Sequence, residues 1–414
     1  MSNLKFKSAL ATAAFSASLL TPIGAFAAVP DYSSNINLLV DYLKSNQDTD
    51  GKIIGFGGET SWTIMGMIAV GVDPNTVENG GNSLLDFLAA NPPADTAVTA
   101  WERDLLAITA AGENPFTFGG LNYVAKVQSF ANNSQIGSTT TLNDDIFGIL
   151  SLISAGPSAN QQIISDSIDF LIANQNTDGG WSWSVGSASD SNDTAVAVQA
   201  LKAAELNGFT NTGLSTAIAD GVNYLLSLQQ ADGGFEYQSG FGTDGASTAW
   251  VVQALIGEDT AVTNGLNFLA GLQDASGGVQ YQSGFGADTF TSGYALSAFA
   301  QAPFPIGAFE EEGDEEPIEQ PETIPDEEKN QNSDEDGEVL SASTTYNGKV
   351  LAETLPETGI STVLNEIDSI DNNLNNNSSQ KQSMLLLVAF SLSFIFLGVA
   401  IKYLVVRAQE NDVS

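Results

Sequence analysis

Acidic side chains are the residues of this chain best suited to chemistry, because the sequence contains no histidine and no cysteine. The missing histidine removes the usual general base near neutral pH, and the missing cysteine excludes thiolate zinc sites, disulfides and cysteine nucleophiles. Four aspartates stand at the start of apolar segments: Asp190, Asp193, Asp244 and Asp288. A carboxyl group at such a place could act as a general acid if its environment raises its pKa.

These aspartates belong to a repeated unit. The segment Phe170–Trp181 recurs as Tyr224–Phe235 and as Phe268–Val279, and each copy is followed by a polar loop and a second apolar run. The Asp- and Gly-rich turn ends one helix and reverses the chain, so each unit is predicted to be a helix hairpin. Weaker copies upstream bring the total to six hairpins between about residues 36 and 303, which must stack to bury their apolar faces.

The start of each second helix is predicted from capping residues. Asp193, Ser247 and Thr291 are expected to be the N-caps of the second helices in the last three hairpins. Thr99 and Glu102 have the spacing of a capping box in an earlier hairpin.

The repeated pattern, Phe/Tyr-Leu-x3-Gln-x3-Gly-Gly followed by an aromatic residue, resembles the glutamine–tryptophan repeat of squalene–hopene cyclases and protein prenyltransferases. The resemblance implies an all-α fold, a single α6/α6 toroid over residues 28–307, with inner and outer rings of helices around a central cavity. Proteins of very different activity share this fold, so function has to be argued from the site.

One short motif points to a particular activity. Asp190-Ser-Asn192-Asp193-Thr-Ala resembles the Asp-x-Asp-Asp-Thr-Ala motif of class II terpene cyclases, in which the middle aspartate protonates the polyene. The resemblance makes Asp190, Asn192 and Asp193 the cyclase-like candidates. Asn192 occupies the position of the proton donor, however, and an amide cannot supply a strong acid. The sequence therefore favours a protein that is not an enzyme.

No metal or cofactor site is predicted. The zinc site of the prenyltransferases needs Cys and His, which this chain lacks. The Asp-Gly pairs at Asp50, Asp178 and Asp232 are interpreted as turn residues, because the full spacing of a calcium-binding loop is absent.

The aromatic residues suggest a ligand site within the ring. The candidates are Trp62, Trp101, Trp181, Trp250, Tyr237 and Tyr281, together with Asp244 and Asp288. By resemblance, the second helices line the cavity, which would suit a small apolar, neutral or cationic ligand. The alternative is that these rings fill the core of the toroid. The loops Tyr237–Gly242 and Tyr281–Gly286 share one sequence and are expected to lie side by side at one mouth of the ring.

The rest of the chain predicts export and anchoring. In chain order, the segments are a signal peptide at 1–27, an acidic, proline-containing disordered stalk at 308–354, the pentapeptide Leu355-Pro356-Glu357-Thr358-Gly359, a polar linker at 360–383, a transmembrane helix at 384–406 and a cytoplasmic tail at 407–414. The pentapeptide resembles the signal of sortase substrates, which implies sortase as a partner and attachment to the cell wall. The toroid is thus expected outside the cell.

Three functional hypotheses remain open. A net charge of −38 disfavours binding of nucleic acids or anionic lipids. The chain could be a surface-anchored, non-catalytic binding or adhesion module that uses the cavity or the rim of the toroid. It could instead be a terpene-cyclase-like enzyme acting on an isoprenoid, or a structural protein of a surface assembly.

Overall fold

The computed structural model describes residues 31–55, 57–132, 134–156 and 160–309. The described residues do not include the predicted signal peptide, sorting motif, polar linker, transmembrane helix or tail. Of the predicted stalk they include only residues 308 and 309. Within the described part of the chain, none of the helices has the length and apolarity needed to cross a bilayer.

The described residues form twelve α-helices. They are α1 (Ser33–Ser45), α2 (Glu59–Ala69), α3 (Leu84–Ala90), α4 (Val98–Ala110), α5 (Tyr123–Gln128), α6 (Asn143–Ser154), α7 (Gln161–Ala173), α8 (Ser191–Leu206), α9 (Leu214–Ser227), α10 (Gly245–Ala254), α11 (Asp259–Leu272) and α12 (Thr289–Phe299). Two small antiparallel ribbons, β1 (Glu78–Asn79) with β2 (Asn82–Ser83) and β3 (Phe235–Glu236) with β4 (Thr243–Asp244), connect some of them.

The even-numbered helices form a closed inner ring. Each packs on the next, from α2 through α4, α6, α8 and α10 to α12, and α12 packs back on α2. All ten residues of α10 are buried, as are all twelve of α6, which is expected for helices covered on every side. The odd-numbered helices bury only one face and form the outer ring. The predicted all-α toroid of six hairpins is confirmed for the described residues.

The glutamine of the repeat joins four of the six hairpins to the next one. The Nε2 group of Gln175 donates to the backbone oxygen of Gly179 in its own turn and to that of Ala217 in α9, at 2.8 and 2.9 Å. Gln47, Gln229 and Gln273 make the same pair of bonds. Gln273 reaches Asn35 of α1, so the same contact that links neighbours also closes the ring.

Aromatic side chains fill the ring axis. Trp62 of α2, Phe147 of α6 and Trp250 of α10 come from alternate inner helices, so they can meet only at the centre, and their ring centroids are 5.4 to 6.2 Å apart. Tyr294 of α12 joins them, 4.9 Å from Trp250. In each of these four hairpins, one side chain in the inner helix accepts a backbone N–H from the preceding loop. The aromatic residue stands two positions after that side chain, so all four aromatic residues occupy the same register position. Val196 holds that position in α8.

A C-terminal strap, residues 300–309, closes one end of the ring. It follows α12, and its Phe304 ring lies 5.6 Å from Trp62 and 5.4 Å from Trp250. The Phe304 N–H donates to Oε1 of Gln199 on α8 at 2.9 Å. The Phe309 N–H donates to the backbone oxygen of Ser154 at the end of α6 at 2.7 Å. The strap therefore crosses the C-terminal ends of the inner helices.

Replacing Phe304 with alanine should destabilise the toroid. The side chain is 3% exposed, and its loss would leave a cavity between two tryptophans, so the free energy of unfolding should fall by about 3 kcal/mol. Urea unfolding followed by tryptophan fluorescence would measure the change. The matched control is Leu206→Ala, at a side chain that is 88% exposed and should change stability by no more than about 0.5 kcal/mol. If the two substitutions changed the free energy of unfolding equally, the result would contradict an axis filled by packed side chains.

Candidate functional site

The N-terminal turns of the inner helices hold the predicted acidic residues. Asp190, Asp244 and Asp288 are the N-caps of α8, α10 and α12. Their carboxylates accept the backbone N–H of Asp193, Ser247 and Thr291, at 2.7 to 2.8 Å. The prediction that Asp193, Ser247 and Thr291 are the caps is therefore wrong. They occupy the third helical position, and the aspartate three residues earlier has the extended backbone that a cap requires.

Asp190 and Asp193 form a buried acidic pair. Burial, followed by the neighbouring Asp193 charge, raises the pKa of Asp190 well above its ordinary value. Burial raises the pKa of Asp193 to about 6, against a hydrogen bond from Asp190 that lowers it. The two carboxyl groups are therefore expected to share a proton near neutral pH. Asn192, between them in sequence, is 3% exposed and accepts a hydrogen bond from the Ser191 hydroxyl.

The predicted tyrosines tie adjacent hairpins together. The Tyr237 hydroxyl is hydrogen-bonded to Asp190 of the preceding hairpin, and Tyr281 is bonded in the same way to Asp244. Their backbone oxygens also accept the N–H of Ser191 and Gly245, at 2.9 and 2.7 Å. Both tyrosines thus span the joint between two repeats.

The predicted tryptophans do not come together at one site. Trp62 and Trp250 meet on the axis, as described above. Trp181 and Trp101 are buried away from it: the Trp181 indole N–H donates to the backbone oxygen of Leu171, and that of Trp101 donates to Ala94. Trp101 packs on Tyr123 of the outer helix α5, with centroids 4.9 Å apart. Indoles of the outer layer and indoles of the axis thus have different surroundings.

Sequence reasoning did not predict that α4 buries charged residues. Glu102 is fully buried, neither of its carboxylate oxygens has a hydrogen-bond partner, and Asp144 and Asp145 lie close enough to act on it. Burial, then these two charges, raises its pKa well above the ordinary value. The predicted capping box of Thr99 and Glu102 is wrong, because α4 begins at Val98 and its N-cap is Ala97. The sequence did carry a signal for this burial, because three consecutive charged residues, Glu102 to Asp104, stand inside an otherwise apolar helix.

Arg103 brings a positive charge to the same end of the ring. Its Nε lies 3.4 Å from Oδ1 of Asp104, and its guanidinium covers Gly58, where an added Cβ would lie 2.6 Å from the guanidinium nitrogen. Asp104 also accepts a 2.6 Å hydrogen bond from Ser61 of α2. Despite this cluster of acids, the described residues contain no group of three or more ligating side chains that could hold a metal ion.

Three loops at this end form what we call the rim: residues 181–190, 235–244 and 279–288. Gln238 donates to the backbone oxygen of Ser189 in the neighbouring loop at 3.1 Å, and Gln282 donates to that of Phe241 at 3.4 Å. The predicted side-by-side arrangement of the two like loops is therefore confirmed. Phe241 and Phe285, at the loop tips, are 55% and 51% exposed. The aromatic side chains that the rim offers to solvent are thus phenylalanines that were not among the predicted site residues.

The rim loops are stiffened from within. The Glu236 carboxylate accepts the N–H of Gly240 at 2.9 Å and of Gly242 at 3.2 Å. In the next loop, the Gln280 side chain accepts the N–H of Gly284 at 2.7 Å. Both contacts fold the loop tip back on its own base, so Phe241 and Phe285 are presented from ordered turns.

The buried carboxyl groups make stability depend on pH. Burial raises the pKa of Asp145 and Asp244 to about 7 and that of Asp144 and Asp288 to about 6. The folded state therefore binds more protons than the unfolded chain between about pH 4 and pH 7. Stability should be greatest near pH 4 and should fall as pH rises through 6 and 7, by up to about 1.4 kcal/mol per pH unit for each titrating group. Urea unfolding at several pH values measures this slope.

Asp244→Asn isolates one of these groups. Asparagine also caps helices well, so the bond from Ser247 should persist while the titration disappears. The variant should lose part of the downward slope between pH 5 and pH 7.5 and should exceed the unaltered protein in stability above about pH 7. Asp41→Asn, at an exposed carboxylate on α1, is the matched control. A slope that is the same in all three proteins would show that Asp244 is ionised in the fold.

Comparison with known proteins identifies solved structures of similar fold. No protein-family model matches the chain, and no curated protein sequence matches it. Among solved structures, it is similar to ent-copalyl diphosphate synthase from Streptomyces platensis (16% identity, TM-score 0.42), covering 59% of this chain and 50% of that one. It is also similar to the type II terpene cyclase MstE from Scytonema, with 13% identity and a TM-score of 0.48, covering 65% of this chain and 97% of that one. A third similar structure is a glycosidase in complex with glucose, with 12% identity and a TM-score of 0.46, covering 66% of this chain and 99% of that one. None of these TM-scores reaches 0.5, and none of the matches bears on the activity of this chain.

Proposed function

We propose that this protein is a non-catalytic binding module held at the cell surface, and that the rim is its ligand-binding surface. The observation that carries the proposal is the contrast between axis and rim. The axis is occupied by the protein's own rings, whereas the rim exposes Phe241 and Phe285 at the tips of two neighbouring loops. Exposed aromatic side chains on ordered loops are typical of recognition surfaces.

The composition of the rim also fits recognition. Its loops are rich in Ser, Gly and Gln and carry a few aromatic residues, which is the mixture that antibody loops use for contact area and adaptable hydrogen bonding. Stiff loop tips lower the entropy lost on binding. The net charge of −38 repels anions, so the ligand is neutral or cationic.

The flanking segments support display outside the cell. The signal peptide at 1–27 directs export, and the transmembrane helix at 384–406 retains the protein in the membrane. The acidic stalk at 308–354 extends the toroid away from the membrane by self-repulsion. The Leu355–Gly359 motif makes sortase a partner and the cell wall a second anchor.

Binding through the rim predicts that its two exposed rings are needed. The full-length chain would be tested on arrays of immobilised neutral polysaccharides, cationic chitosan and anionic polygalacturonate. The double variant Phe241→Ala/Phe285→Ala should lose about tenfold or more in affinity for at least one neutral or cationic polymer on the array, because aromatic anchors dominate interface energy. Leu38→Ala, at a side chain 50% exposed on α1, is the matched control. An array on which the unaltered protein binds nothing, or only the anionic polymer, would contradict the proposal. A double variant that binds every polymer as tightly as the unaltered protein would contradict it as well.

A terpene-cyclase-like enzyme is the second candidate. Its support is the buried pair Asp190 and Asp193, whose pKa values are raised by burial and which flanks Asn192 at the motif position of the cyclase acid. Incubation of the protein with geranylgeranyl substrates should give no cyclised product if the chain is a binding module. A cyclised product that disappears in Asp193→Asn, a variant that should still fold, would replace the binding proposal with this one.

A further inference from the structure

A polar groove lies on the outer wall of the toroid, between α7 and the connection from α8 to α9. Its volume is about 600 Å³, within the range of sites that take small ligands. The lining residues are Gln161, Gln162, Ser165 and Asp169 from one face of α7, and Asn207, Gly208, Phe209, Thr210, Asn211 and Thr212 from the connection.

The two walls of the groove are fixed to each other. The Nδ2 group of Asn211 donates to the backbone oxygen of Ser165 at 3.0 Å, to its hydroxyl at 3.0 Å and to Oδ1 of Asp169 at 2.8 Å. The connection itself is anchored to α8 through the Phe209 N–H, which donates to the backbone oxygen of Ala204 at 3.1 Å. The groove is therefore preformed, and a ligand would not need to order its walls.

The lining is neutral and rich in hydrogen-bonding groups. Seven of its ten residues carry an amide or a hydroxyl group, and Asp169 is the one carboxylate. The Nδ2 group of Asn207 donates to the backbone oxygen of Ala203, and that of Asn211 donates to α7. The side-chain oxygens of both asparagines therefore remain as acceptors for a ligand. The half-buried Phe209 adds an apolar surface among them.

These groups select one class of ligand. An apolar ligand would strip water from seven polar side chains without replacing their hydrogen bonds. The lining offers no basic group to an anion, and Asp169 is shared with Asn211, so it is a weak partner for a cation. A neutral, hydroxyl-rich molecule can both donate and accept at these amides and hydroxyls and can lay its carbon face on Phe209.

We propose that this groove binds a neutral oligosaccharide. The site is separate from the rim. The rim loops lie at the N-terminal ends of the inner helices, whereas the groove lies at the C-terminal end of α8, whose sixteen residues span about 24 Å. The groove on the outer wall and the rim thus lie toward opposite ends of the inner helices.

The test is calorimetric titration of the full-length chain with hexamers of glucose, mannose and N-acetylglucosamine, and with hexagalacturonate as the anionic counterpart. At least one neutral hexamer should bind with a Kd below about 1 mM, and hexagalacturonate should bind at least about tenfold more weakly. Thr210→Trp places a bulky ring in the groove at an exposed loop residue and should weaken binding about tenfold or more. Thr49→Trp, the same change at an exposed threonine outside the groove, should have no effect.

The rim variant separates this inference from the proposed function. Phe241→Ala/Phe285→Ala should keep its full affinity for the neutral hexamer, because the groove on the outer wall contains neither residue. Absence of saturable binding to all three neutral hexamers would overturn the inference, as would binding that Thr210→Trp leaves unchanged. Loss of hexamer binding in the rim variant would also overturn it and would assign the saccharide to the rim instead.

Discussion

The side-chain amide of the repeat glutamine is the contact on which the toroid depends. In four of the six hairpins its Nε2 group closes the turn of its own hairpin and binds the backbone of the next. Each such bond adds about 1 kcal/mol at most, but its geometry fixes the rotation between neighbours. Since Gln273 makes the same two bonds across the seam to α1, six similar steps close into a ring.

Ring closure brings one register position of the inner helices to the axis, and the side chains found there decide what the protein can do. Trp62, Phe147, Trp250 and Tyr294 are large enough to meet, and Phe304 of the strap completes the packing. Closer to the N-termini, acidic residues cap the helices or lie in their first turns, and burial raises the pKa of these carboxyl groups. The interior therefore serves stability, and the proposed binding surfaces lie on the loops and the outer wall.

The sequence predicted the hairpins, because helical periodicity recurs in all six and the Gln…Gly-Gly turn marks the last three. It failed where a side chain's role depends on neighbouring repeats. Asp193 and Asp190 are both acceptable caps by residue type, and only the backbone geometry of the turn chooses Asp190. Trp101 and Trp250 both follow a Thr-Ala pair in the sequence, yet Trp101 packs on the outer helix α5 and Trp250 packs on the axis. Glu102 stood inside an apolar helix, and its burial beside Asp144 and Asp145 comes from the next hairpin, which no local pattern encodes.

Xenon pressurisation of crystals would test the filled axis most directly, because xenon enters apolar cavities and not well-packed cores. The unaltered protein should show no xenon between Trp62, Phe147 and Trp250. Crystals of Phe304→Ala should show one site where the phenyl ring has been removed, which proves that xenon can reach the axis. A well-occupied xenon site on the axis of the unaltered protein would contradict the account, since it would reveal a cavity able to hold an apolar ligand and would return the central ring to the candidate functional sites.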